Sequence, residues 1–116
     1  MLHVINEKKY FQAISTMRDN SSLNIDDFLN DSSIYMQGIL SGIECEDMLK
    51  VKSFAQTIRQ SSECLGAEIV ADNAEKIEKM ANSIIINEGG SLSDMKNMFE
   101  ELEENFKVSH EKLKKM

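Results

Sequence analysis

Apolar residues recur along this chain at spacings of three and four, the period of one face of an α-helix. Tyr10, Phe11, Ile14 and Met17 predict a helix over 6–19, broken by Asn20, Ser21 and Ser22. Ile25, Phe28, Leu29, Met36, Ile39, Leu40 and Ile43 form one stripe and predict a second helix over 25–43. Asn24 suits its N-cap, Asp26 and Asp27 suit the positive end of its dipole, and Gly42 and Glu44 mark its end. A third helix over 46–65 buries Met48, Val51, Phe54, Ala55, Ile58 and Leu65, with Gly66 as its stop. A fourth over 67–87 buries Val70, Ala74, Ile77, Met80, Ala81 and Ile84, and Asn87-Glu88-Gly89-Gly90 is the clearest turn signal in the chain. Ser91 opens the fifth as an N-cap, with Asp94 three residues on in the manner of a capping box. Leu92, Met95, Phe99, Leu102, Phe106, Leu113 and Met116 then hold the repeat to the chain end, with Ser109 in one seam slot. The most strand-like run, Ile84-Ile85-Ile86, closes a helical pattern rather than opening a strand.

Composition strengthens that pattern. Proline is absent, glycine is scarce, and Met, Glu, Lys, Leu and Ile are plentiful, all of which favours long helices. The expected fold is all-α, a single domain over 1–116, with the last four helices in an antiparallel up-and-down four-helix bundle and a short additional N-terminal helix. At 116 residues such a domain has a sufficient core without metal or disulfide. A formal net charge of −7 without a basic stripe argues against nucleic acid as a partner. Lys112, Lys114 and Lys115 sit where the last helix dipole favours positive charge. Neither Cys45 nor Cys64 has metal-ligand or redox spacing, and Cys64 is expected to pack near a helix end. Neither His3 nor His110 has a ligand-spaced companion, so no metal and no cofactor is expected, and His110 is expected on the surface. With no secretory signal or membrane-length apolar run, the expected compartment is the cytoplasm, or the nucleus in a eukaryote, with no membrane partner and a monomeric state. Met48, Met80, Met95 and Met116 fall on core stripes, while Met36 and Met98 at stripe edges are candidates for a docking surface.

The stretch Ala55 to Ala67, AQTIRQSSECLGA, carries a more specific signal. It resembles the signature of histidine-phosphotransfer (HPt) domains, roughly A-H-x-L-K-G-S-S-x-x-(I/L)-G-A. Ile58 and Arg59 stand at the Leu and Lys positions, Ser61 and Ser62 at the small pair, and Leu65, Gly66 and Ala67 at the closing triplet. The departures fall where the family's chemistry lives. Gln56 occupies the position of the phospho-accepting histidine, and Gln60, one turn later, that of a glycine that leaves room for a partner. A carboxamide nitrogen is neither basic nor nucleophilic, so Gln56 cannot carry a phosphoryl group as an imidazole does. The resemblance is thus to a degenerate, pseudo-HPt member of the family.

Gln56 lies roughly 200° around the third helix from Ile58 and therefore faces outward. Lys52, Gln56, Arg59, Gln60 and Glu63 form the expected partner-binding surface, and no residue is expected to be catalytic. Ser61 and Ser62 have no base at helical spacing, which leaves close helix packing as their role. The resemblance implies a non-enzymatic protein that binds receiver domains of response regulators or hybrid histidine kinases and modulates phosphotransfer. Lys52 and Arg59 are then expected to face the carboxylates around a receiver's phosphorylated aspartate. Two alternatives stand beside this: an active phosphotransfer protein carrying a His-to-Gln change, and a structural or oligomerising helical bundle unrelated to phosphorelay.

Overall fold

The computed structural model describes residues 2–19 and 25–115, with side chains at 2–15 and 30–115. It holds five α-helices: α1 (Glu7–Asp19), α2 (Ile25–Glu44), α3 (Met48–Cys64), α4 (Glu68–Ile85) and α5 (Leu92–Lys115). Among the described residues there is no strand. The all-helical expectation therefore holds, with helix ends within two residues of those predicted. The break at Asn20, Ser21 and Ser22 and the Asn24 cap lie outside the described residues, as do Met116 and the side chains of Met17, Ile25, Asp26, Asp27, Phe28 and Leu29.

The α2, α3 and α4 C-termini close in the same way. The amide of the residue two past the C-cap donates to the third-last helical carbonyl, and the amide before it donates to the next carbonyl, which is the Schellman arrangement. After α2 these bonds are Asp47 N to Gly42 O (2.7 Å) and Glu46 N to Ile43 O (3.2 Å). After α3 they are Ala67 N to Ser62 O (2.8 Å) and Gly66 N to Glu63 O (3.2 Å). After α4 they are Glu88 N to Ser83 O (2.8 Å) and Asn87 N to Ile84 O (3.2 Å). Glu46, Gly66 and Asn87 take the left-handed conformation this closure needs, at φ 56°, 77° and 58°. Gly42 thus does not end α2 as expected; Glu46 makes the turn and Gly42 lies inside the helix. Among the described residues three helices begin on a side-chain cap, the first being α1, where Asn6 Oδ1 accepts from Lys9 N (3.2 Å). Asp47 Oδ1 accepts from Lys50 N (3.1 Å), and Ser91 Oγ accepts from Asp94 N (3.0 Å), as the Ser91 spacing predicts.

In the packing, α3 lies against both α2 and α4, α4 against α5, and α5 returns to α2, while α1 rests on α3. Ile39 and Ile43 of α2, Val51 and Ile58 of α3, Leu65, Val70 and Ile77 around and within α4, and Met95 and Leu102 of α5 are fully enclosed. The α2–α3 contact is close because glycines face it. A Cβ on Gly38 would sit 2.6 Å from the Phe54 ring, and one on Gly42 would sit 2.8 Å from Val51 Cγ2. Phe54 is consequently half-buried beneath Gly38, with its ring 5.8 Å from that of Tyr35. Some apolar residues depart from their expected places. Leu40 and Phe11 are exposed, Met80 and Ile84 are half-buried, and Met36, expected at a stripe edge, is in the core, while Met98 is half-buried as its edge position predicts.

Residues 2–6 form a strap across the α3–α4 turn. Asn6 N donates to Gly66 O (2.6 Å), Ile69 N donates to His3 O (3.2 Å), and Ile5 is buried. Glu68, in the first turn of α4, accepts from His3 N (3.2 Å) and from Lys9 Nζ (3.0 Å). The same strap explains Gly66 a second time, since a Cβ there would meet Asn6 O at 2.5 Å.

Candidate functional site

α3 is buried along Met48, Val51, Ala55, Ile58 and Ser62, and this fixes what it presents outward. Leu49, Ser53, Gln56, Gln60 and Cys64 are all exposed, forming a row that runs the length of the helix. Gln56 stands near its middle, on the surface as its phase predicts. The row is neutral and short-chained except at its first residue, where Leu49 is 70% exposed. From α2, Ile34 is 62% exposed one turn before Gly38, on the side that meets α3. Cys64 belongs to this exposed row, which corrects the expectation that it packs at the helix end.

The charged members of the expected surface are arranged differently. Lys52 and Arg59 are half-buried and turn toward α4. Lys52 Nζ donates to Asn82 Oδ1 (2.9 Å), and Arg59 Nε donates to Glu78 Oε2 (2.8 Å). Arg59 Nη1 also lies 3.6 Å from Glu63 Oε1, one turn on. The Glu78 hydrogen bond, reinforced by the Glu78 and Glu63 charges, lifts the guanidinium pKa above its usual value. Lys52, Arg59, Glu75, Glu78, Lys79 and Asn82 line an open polar cleft of about 690 Å³ between α3 and α4. Gln56 and Gln60 are therefore exposed beside two cations that this chain already engages. The Arg59–Glu63 pair is legible from its four-residue spacing. Glu78 and Asn82 were not, because nothing local says which residue of α4 will face α3.

Ser62 is buried and Ser61 half-buried, so close packing is where the structure puts them. Gly66 and Ala67 belong to the Schellman closure and the strap contact. Neither histidine shares a face with Gln56. His3 lies in the strap, and His110 lies on α5, half-buried, with its ring edge-on to Phe106 at 5.6 Å. Burial lowers the His110 pKa, Lys114 lowers it further, and Glu111 opposes them. Among the described residues no group of His, Cys, Asp and Glu could hold a metal ion, and no helix is long and apolar enough to cross a membrane. No protein-family model, curated protein or solved structure matches the chain significantly.

Proposed function

We propose that this chain is a non-catalytic binding protein on an HPt-like frame: an antiparallel up-and-down four-helix bundle of α2 to α5, with α1 beside it. Its α2–α3 face around Gln56 docks a receiver domain and thereby modulates phosphotransfer. The observation that carries this reading is the open row on α3. The residue in the phospho-acceptor position is exposed at mid-helix, its neighbours are small or neutral, and exposed apolar side chains flank it at Leu49 and Ile34. Apolar contact supplies most of the affinity of such faces, while exposed charge pairs add on the order of 0.2–1 kcal/mol each. That balance suits a surface whose cations are held by Glu78 and Asn82. A receiver's carboxylates would have to compete for Arg59, so Leu49 and Ile34 carry the docking and Arg59 tunes it. Gln60 restricts the approach that the family's glycine leaves open.

Titration of the ¹⁵N-labelled protein with a panel of receiver domains tests this. Binding at tens of micromolar, a transient affinity, is expected to shift amides around Ile34–Ser41 and Leu49–Gln60. Leu49→Asp should weaken it, and Gln60→Gly should tighten it or widen the set of partners. Phosphorylated receivers should leave the native chain unlabelled, because Gln56 is not a nucleophile. If Gln56→His takes up phosphate and supports relay, the active-protein alternative gains; if no receiver binds and neither substitution matters, the plain helical bundle replaces the adaptor.

A further inference from the structure

On the side of the molecule away from the α3–α4 cleft, α5 returns to α2 along a seam. The seam opens into a cleft of about 450 Å³, within the roughly 300–1,000 Å³ typical of small-molecule sites. Its apolar floor is formed by the edge of Met36, which is buried in the core, and by the half-buried Phe106. Gln37 and His110 bring hydrogen-bonding groups to the same cleft from opposite helices. The remaining charge balances. Lys107 lies 3.9 Å from Glu103, and Lys114 and Glu111 act on His110 in opposite senses. Burial lowers the His110 pKa and so favours the uncharged imidazole, in which one nitrogen donates and the other accepts.

We propose that this cleft binds a small uncharged aromatic molecule with a hydrogen-bonding edge, stacked between Met36 and Phe106 and oriented by His110 and Gln37. Thioether and ring surfaces favour an aromatic face over an aliphatic one of equal size. Opposed charges at the rim offer an ionic ligand no net attraction to offset its desolvation. A neutral imidazole and a carboxamide each supply a donor and an acceptor, which complements a planar heterocycle that has both. The Phe106 and His110 rings meet edge-on, with 65° between their planes, a geometry that favours their present arrangement in the cleft. The site is separate from the α3 row and does not depend on receiver docking.

Benzimidazole at pH 7.5, uncharged and carrying one donor and one acceptor, is the probe, followed by ¹H–¹⁵N spectra of the full chain. Saturable shifts confined to the Ser33–Leu40 and Glu103–Lys114 segments are expected. Phe106→Leu, which keeps apolar volume without the ring, and His110→Ala should each weaken binding by about tenfold, the scale of one lost stacking or hydrogen-bonding contact. Circular dichroism and the urea midpoint establish that the variants remain folded. Naphthalene sulfonate and cyclohexanol should bind more weakly than benzimidazole. Unsaturable or scattered shifts, unchanged affinity in both variants, or equal binding of the sulfonate would overturn the proposal.

Discussion

Three residues in left-handed backbone close the ends of α2, α3 and α4, and they differ in cost. Gly66 adopts φ 77° without strain, whereas Glu46 at φ 56° carries the roughly 1–2 kcal/mol that a side chain imposes there. Glu46→Gly is therefore expected to stabilise the protein by about 0.5–1 kcal/mol, since glycine's greater unfolded-state entropy offsets part of the relief. Gly66→Ala should destabilise it by about 1–3 kcal/mol, because it adds left-handed strain and drives a methyl into Asn6 O. Urea unfolding of both variants checks the pair, and equal effects would remove the distinction. The sequence marks Gly66 as a helix stop because only glycine is indifferent to φ. It cannot mark Glu46, which tertiary closure forces into place. Gln56 is legible for the opposite reason: its exposure follows from phase alone once Val51, Ala55 and Ile58 are buried. Gln56→Ala should accordingly change stability by no more than about 0.5 kcal/mol.

Among the elements, the α2–α3 contact depends on what is missing from α2. Gly38→Ala places a methyl in the space of the Phe54 ring, an overpacking expected to cost about 1–3 kcal/mol. Phe54→Leu should recover part of that loss in the double variant, although alone it destabilises. If the two losses simply add, the clash is not between these side chains. Helix existence is readable here because apolar stripes are long and proline is absent. Stripe width is not: Leu40 and Phe11 each sit one position from a core residue, about 100° around the helix, and fall outside the buried arc. Gly38 and Gly42 show the same limit, since a glycine that admits a neighbouring helix reads the same as one that ends its own. α5 adds a pH dependence. The His110 pKa is lowered by burial, so between that value and the ordinary 6.5 the unfolded chain binds a proton the folded chain does not. Stability should fall as pH drops through that window, and His110→Gln should flatten the slope in urea midpoints measured across it.

For the whole molecule, the strap ties the beginning of the chain to its middle and holds the α3–α4 turn. Ile5 is buried at its centre, Asn6 N bonds Gly66 O, and Glu68 collects Lys9 Nζ and His3 N at its edge. None of this is visible in the sequence, because contacts separated by about sixty residues leave no periodic trace. Ile5→Ala removes buried aliphatic volume and is expected to destabilise the fold by about 2–4 kcal/mol. The Glu68 pKa is depressed, first by the Lys9 hydrogen bond and then by the His3 amide. A depressed carboxylate contributes stability that is fully present above its ordinary value and disappears as pH falls through the lower folded value. Acidification should therefore release the strap while the enclosed residues of α3 and α4 keep their packing. Hydrogen exchange reads this directly. The Asn6 and Ile69 amides should lose protection in the acid range before those of Val51 and Ile77, after correction for intrinsic exchange rates. In Glu68→Gln, which cannot titrate, they should be less protected at neutral pH and show no acid step. A strap equally protected in both proteins across the range would mean that Ile5 and the backbone bonds hold it without Glu68.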